Sequence, residues 1–205
     1  MVGWEKFNKI AYKMINLAYI NLLWILFTIV GLGVFGVFPA TSALFTVVRK
    51  LIKDEDNIKI FSLFWVSYRT TFIQSNGFGL AFLLMAYFIY FDLYFLQSNS
   101  GSLQFLFPII IFIMISTIIT LLFLFPVFTH FNLKFFQYFK QSFLIAITSP
   151  FEVLAIGSLV GIIYFIATML PGIIPLFTVS VFAYVTTLIS FRAFTRIEKR
   201  QHLEM

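Results

Sequence analysis

The stretch Gly31-Leu32-Gly33-Val34-Phe35-Gly36-Val37-Phe38-Pro39 decides how this chain is threaded. It interrupts an apolar region, residues 17–48, that is long for one membrane crossing and short for two. Glycine is a poor helix former, and proline lacks the N–H that a helix interior needs. Three glycines followed by Pro39 therefore predict a break. A helix from about residue 4 to 30 then turns back into a limb from about 34 to 52, restarted by Pro39-Ala40-Thr41-Ser42-Ala43. That limb is marginal in length, so it either crosses or dips. The alternative is a single crossing with the N-terminus outside.

Working outward, four further segments are long and apolar enough to span as helices: 77–96, 103–129, 151–170 and 173–191. Composition agrees. Of 205 residues, 61% are hydrophobic and 11% charged, with 30 phenylalanines, which is too little polar surface to coat a soluble body. No linker rich in Gly, Pro or Ser divides the chain, so residues 1–205 read as one integral membrane domain.

Charge sets the topology. The fourteen Lys and Arg residues fall in four places, 6–13, 49–69, 134–140 and 192–200. The connections Gln97-Ser98-Asn99-Ser100-Gly101-Ser102 and Pro171-Gly172 carry no charge. The positive-inside rule places the last three basic groups in the cytoplasm, with the C-terminus. The hairpin reading brings Lys6, Lys9 and Lys13 to that side as well. A sequence pI near 9.6 follows from this arrangement and needs no nucleic acid partner. No cleavable signal peptide is expected, because the run after Lys13 is long and lacks a small-residue cleavage site.

Two stretches are amphipathic. In 58–75, Phe61, Phe64, Trp65, Tyr68 and Phe72 recur at helical spacing away from Lys59 and Arg69. In 132–148, Phe135, Phe136, Phe139 and Phe143 do so around Lys134 and Lys140. Each is read as a cytoplasmic surface helix or as the start of the next span. Tyr68-Arg69-Thr70-Thr71-Phe72 and Phe139-Lys140-Gln141-Ser142-Phe143 share an order of residue types, and each precedes two spans. A parallel duplication of 58–129 and 132–191 is the expectation that follows. The fold class is all-α: a polytopic transmembrane bundle of four clear spans plus an N-terminal span or broken hairpin, with two cytoplasmic amphipathic helices.

Little in the chain points to chemistry. With no cysteine, disulfides, thiolate metal sites and cysteine catalysis are excluded. His130 and His202 have no third ligand nearby, and no phosphate-loop sequence is present. Asp92 lies late in its span and reads as a carboxylate at headgroup depth. Glu152, after Pro150, reads as a helix-start carboxylate favoured by the dipole. Asn21, inside the first apolar run, needs a partner in hydrocarbon, which points to a bond across the bundle or to solute binding. Gly157 and Gly161, four apart, suit close helix packing, either within the bundle or between copies in a homo-oligomer.

Asn21-Leu22-Leu23-Trp24, the glycine break, Pro39-Ala40-Thr41-Ser42-Ala43-Leu44, a basic pair and Tyr68-Arg69-Thr70-Thr71-Phe72 together resemble the YesL family of bacterial membrane proteins, catalogued as a domain of unknown function. The resemblance covers essentially the whole chain and is densest over 16–76. It departs at the break, where relatives often show Pro and Thr. It implies a context, a bacterial plasma membrane protein linked with carbohydrate uptake through ABC importers, and carries no catalytic or binding residue. The functional expectation is a non-enzymatic accessory subunit of such an importer, contacting its permease or ATPase subunits, without cofactor or metal. A small-solute transporter, with Asn21, Thr117, Thr120, Ser158 and Thr168 along a path, is the alternative; an intramembrane enzyme lacks positioned acids and bases. Candidate functional or packing residues are Asn21, Trp24, Pro39, Thr41, Arg69, Asp92, Lys140 and Glu152, with Arg69 and Lys140 marking a docking surface.

Overall fold

The computed structural model describes residues 2–53, 58–98, 104–170, 172 and 174–203. Residues 99–102 and Pro171 of the two uncharged connections, and the side chains of Lys6, Lys9 and His202, lie outside the described residues. Among those described there are seven α-helices: α1 (Val2–Val30), α2 (Val34–Ile52), α3 (Ile60–Ser98), α4 (Phe107–His130), α5 (Phe135–Thr148), α6 (Pro150–Met169) and α7 (Ile174–Leu203). A 3-10 turn, Gln104–Leu106, leads into α4. All but α5 contain a stretch long and apolar enough to cross a membrane. The chain is an all-α, polytopic membrane bundle.

The break falls where Gly and Pro demand it, and the first apolar region is two helices. Gly33 N–H donates to Thr28 C=O at 2.9 Å, and Leu32 N–H to Ile29 C=O at 2.9 Å, closing the last turn of α1. This closure needs left-handed backbone, found at Leu32 (φ 58°) and Gly33 (φ 74°). Glycine adopts it freely; at Leu32 it costs about 1–2 kcal/mol. Gly31 and Gly36 serve a different need. A Cβ on Gly31 would strike Gly36 Cα and come 2.5 Å from the Tyr68 hydroxyl, and one on Gly36 would strike Thr28 C=O. Pro39 sits inside α2, buried, rather than at its start.

The first amphipathic stretch is not a separate surface helix. It continues into the following span as the 39-residue α3. Between Ile60 and Gly77 there is no Pro or Gly to stop the helix. The groups that might compete with it bond backwards instead, Thr71 to Ser67 C=O at 2.8 Å and Asn76 to Phe72 C=O at 3.0 Å. At 1.5 Å per residue α3 is about 58 Å long, roughly twice the hydrocarbon thickness of a bilayer. Its first third packs on the end of α1. The Phe27 ring lies 5.0–6.3 Å from those of Phe61, Phe64, Trp65 and Tyr68, and the Tyr68 hydroxyl donates to Phe27 C=O at 3.2 Å. The α1–α2 turn and Arg69 therefore share one level of the bundle. Threading by charge alone puts them on opposite faces, because that rule treats 58–75 as a surface element instead of the leading end of a long rod.

The second amphipathic stretch does form its own helix. Extended backbone before Phe135 starts α5, and Ser149-Pro150 ends it. Thus the segment 58–129 opens with one continuous helix, whereas 132–191 opens with two.

Two clusters of buried side chains hold the bundle. One joins α1, α2 and the start of α3 with Phe125 of α4 and Ala183 of α7. The other joins Phe78, the end of α4, α5, Ile156 of α6 and the end of α7. Phe38 and Phe182 border both. Lipid is as apolar as these side chains, so the stabilisation comes from close packing rather than escape from water. Stacked rings show it: Phe45 on Phe125 at 5.5 Å and Phe78 on Phe135 at 4.9 Å. At Gly79, an added Cβ would lie 2.6 Å from the Phe38 ring, so α2 and α3 meet with no room to spare.

Candidate functional site

Several polar residues inside the bundle form cross-helix links, while Asn16 Nδ2, Thr28 Oγ1, Ser142 Oγ, Thr186 Oγ1 and Ser190 Oγ have no hydrogen-bond partner among the described residues. Asn21 is the best satisfied. It is 1% exposed, its Nδ2 donates to Pro175 C=O at 2.7 Å, and its Oδ1 accepts from Val179 N–H (3.1 Å) and Ser180 N–H (3.0 Å). Pro175 C=O and Val179 N–H are the pair that a regular i→i−4 bond would join. The Asn21 amide bonds both, so α1 is keyed to the first turns of α7.

One turn along α1, Trp24 Nε1 donates to Thr41 Oγ1 at 3.0 Å, and Thr41 in turn donates to Val37 C=O at 2.7 Å. This chain ties α1 to α2 beside Pro39. Ser42 and Ser75 share a hydrogen bond of 2.7 Å, both fully buried, between α2 and α3. Arg49, near the end of α2, bonds through Nη1 to Thr129 C=O in the last turn of α4. A guanidinium there meets unpaired carbonyls and the negative end of the helix dipole.

Glu152 stands third in α6, where a carboxylate suits the dipole, and it also has a partner. Arg196 Nη2 donates to its Oε1 at 2.7 Å. Glu152 is buried and Arg196 half exposed, while Oε2 has no hydrogen-bond partner among the described residues. His130, the last residue of α4, packs against Phe131 (4.6 Å) and Phe194 (4.7 Å).

The other candidates face outward. Arg69 is exposed and lies 5.5 Å from the Trp65 ring, a cation–π contact. Asp92 and Lys140 are exposed on α3 and α5. The structure joins Asn21 with α7, Trp24 with Thr41, and Glu152 with Arg196. It brings none of these together with Asp92, Arg69 or Lys140 in one site. Of the residues named for a solute path, Thr117 and Thr120 line one groove, and Asn21, Ser158 and Thr168 are not part of it. Thr117, Thr120 and Thr168 donate to carbonyls of their own helices, and Ser158 is exposed.

Sequence reasoning did not single out Ser42, Ser75, Arg49 or Arg196. A signal existed for the serines, since a hydroxyl inside an apolar run needs a partner. None existed for the arginines, which read as topology markers.

Comparison with known proteins matches the chain over nearly its full length. The profile described as "Protein of unknown function, DUF624" matches residues 17–93. That range holds Asn21, the α1–α2 turn, the Ser42–Ser75 link and most of α3. The chain is 36% identical to the uncharacterized protein YteU of Bacillus subtilis (strain 168) over 187 residues, 91% of this chain and 84% of that one. It is 33% identical to the uncharacterized protein YesL of the same organism over 204 residues, 96% and 93% of the two chains. The chain belongs to the DUF624 family, which includes YesL. A third relative, the uncharacterized protein YesV, is 29% identical over 192 residues. No solved structure matches. The DUF624 match and the membrane-length helices make the chain a multi-pass membrane protein of that family.

Proposed function

We propose that this DUF624 chain is a non-enzymatic accessory subunit of a membrane complex, docked on a carbohydrate ABC importer through its exposed basic-aromatic face at Trp65 and Arg69. The observation that carries the reading is the use of the internal polar groups. Asn21, Thr41, Ser42 and Ser75 are bonded to neighbouring helices or to their own backbone, so these groups serve to hold the bundle together. A carrier for sugars needs the opposite, a row of unsatisfied donors and acceptors along a conduit. The importer as partner rests on the context that the YesL resemblance implies. Arg69 over Trp65 gives a cation beside an aromatic surface, a combination favoured at protein interfaces.

Affinity capture from native membrane in mild detergent, with mass spectrometry of the co-purifying proteins, tests this. Permease and ATPase subunits in fixed ratio are expected, and Arg69→Glu is expected to reduce their recovery at unchanged expression. Reproducible isolation of the chain alone overturns the reading and shifts the weight to an independent transporter, to be examined by solute flux in proteoliposomes.

A further inference from the structure

We propose that the groove between α3, α4 and α5 is a binding site for one anionic phospholipid, with an acyl chain in the groove and the headgroup on Lys140. The groove measures about 480 Å³. Its walls include Met85 of α3, Phe112 and Thr117 of α4, and Phe136, Phe139 and Phe143 of α5. Phe112 and Phe136 are exposed at its edges, so it opens on the surface of the bundle.

Two observations name the occupant. The first is the lack of polar function inside. Three hydroxyl residues line the groove, and of these Thr117 and Thr120 donate to their own helix's carbonyls at 2.8 Å and 2.7 Å. A sugar or other hydroxylated solute would lose its water there and gain no partner. A hydrocarbon chain loses nothing.

The second is charge. Phe136, Lys140 and Phe143 follow at i, i+4 and i+7, so the Lys140 stem leaves α5 from the face that walls the groove. Lys140 is exposed, as is Lys134 one residue before α5. The stretch 132–148 contains no Asp or Glu, and neither does the groove lining. A long cationic side chain rooted beside an apolar slot fits a ligand that is apolar at one end and anionic at the other. A partner helix would cover the groove but would leave both cations unanswered.

The test is native mass spectrometry of the purified, delipidated chain. It is titrated with palmitoyl-oleoyl phosphatidylglycerol and, separately, with the phosphatidylcholine of the same acyl chains. One tightly held phosphatidylglycerol is expected, preferred by about fivefold or more for each cation engaged. Lys140→Gln with Lys134→Gln is expected to abolish the preference while leaving weak binding of both lipids. Lys140→Arg is expected to keep it. Thr117→Trp, at a half-buried position on the groove wall, is expected to lower retention of both lipids. Each variant is first matched to wild type by helical circular dichroism and elution volume. Equal retention of the two lipids by the wild type overturns the proposal. So does a preference that survives loss of both lysines, or retention unchanged by filling the groove.

Discussion

Replacing Asn21 by Leu removes the most completely bonded polar group in the bundle. The amide makes three hydrogen bonds to α7, one given and two received. At a net value of about 1 kcal/mol each in a soluble protein they would total about 3 kcal/mol. Cross-helix polar contacts within membranes average nearer 0.6 kcal/mol, which brings the sum to about 2 kcal/mol. Two effects reduce it further: Val179 N–H can return to Pro175 C=O, and Leu is the better side chain in lipid. The expected loss is about 1–2 kcal/mol, or a fall of about 2–8 °C in Tm for a chain of this size. Asn16→Leu is the internal control. Asn16 is also buried, but its Nδ2 has no hydrogen-bond partner among the described residues, so its removal should leave Tm unchanged or raise it. The assay is thermal unfolding in a mild detergent, followed by tryptophan fluorescence, with Trp24 one turn from the change. If Asn21→Leu melts at or above the wild-type temperature, or if both variants shift alike, the bonds to α7 are not what holds α1 in place.

Three further outcomes are expected. Gly31→Ala and Gly36→Ala should each cost about 1–3 kcal/mol by forcing helix ends apart, whereas Leu32→Gly should gain up to about 1 kcal/mol by relieving left-handed backbone; ranking the melting temperatures checks the order. Ser75→Ala should destabilise by about 1–2 kcal/mol by stranding Ser42, and adding Ser42→Ala should restore most of the loss, which a double-mutant cycle measures. Because the chain has no cysteine, Leu32→Cys and Arg69→Cys can each be probed as single thiols with a membrane-impermeant reagent. Both should label from the same side of the membrane, and labelling from opposite sides would contradict the packing of Tyr68 on the α1–α2 turn.

Local features were legible and distant ones were not. The α1–α2 break could be read because Gly and Pro act through their own backbone, and the limbs fall at Val2–Val30 and Val34–Ile52. Which residue takes the left-handed turn could not, since only the hydrogen bonds to Thr28 and Ile29 put Leu32 there. Whether 58–75 merges with the next span was left open for a different reason. A change from amphipathic to wholly apolar sequence marks a change of surroundings, and a helix ignores it unless a breaker sits at the boundary. At Ser149-Pro150 a breaker is present, and there 132–148 is a separate helix, the first of the two readings. Asn21 announced its need for a partner by sitting among Leu and Trp, but nothing near it in sequence names α7. Glu152 was legible as a helix-start carboxylate, while its partner Arg196, in the last helix, read only as a topology charge.

The bond from Asn21 to Pro175 joins residues 154 positions apart. During synthesis α1 enters the membrane first and α7 last. At about 5–20 residues per second, roughly 8–30 s pass before the acceptor has been made. For that interval the Asn21 amide must remain hydrated near the interface, borrow another partner, or be guarded by the insertion machinery. Truncation anywhere before Pro175 would leave the Asn21 amide without its α7 partners, so an unfinished chain carries an unsatisfied polar group in α1 that a finished one does not.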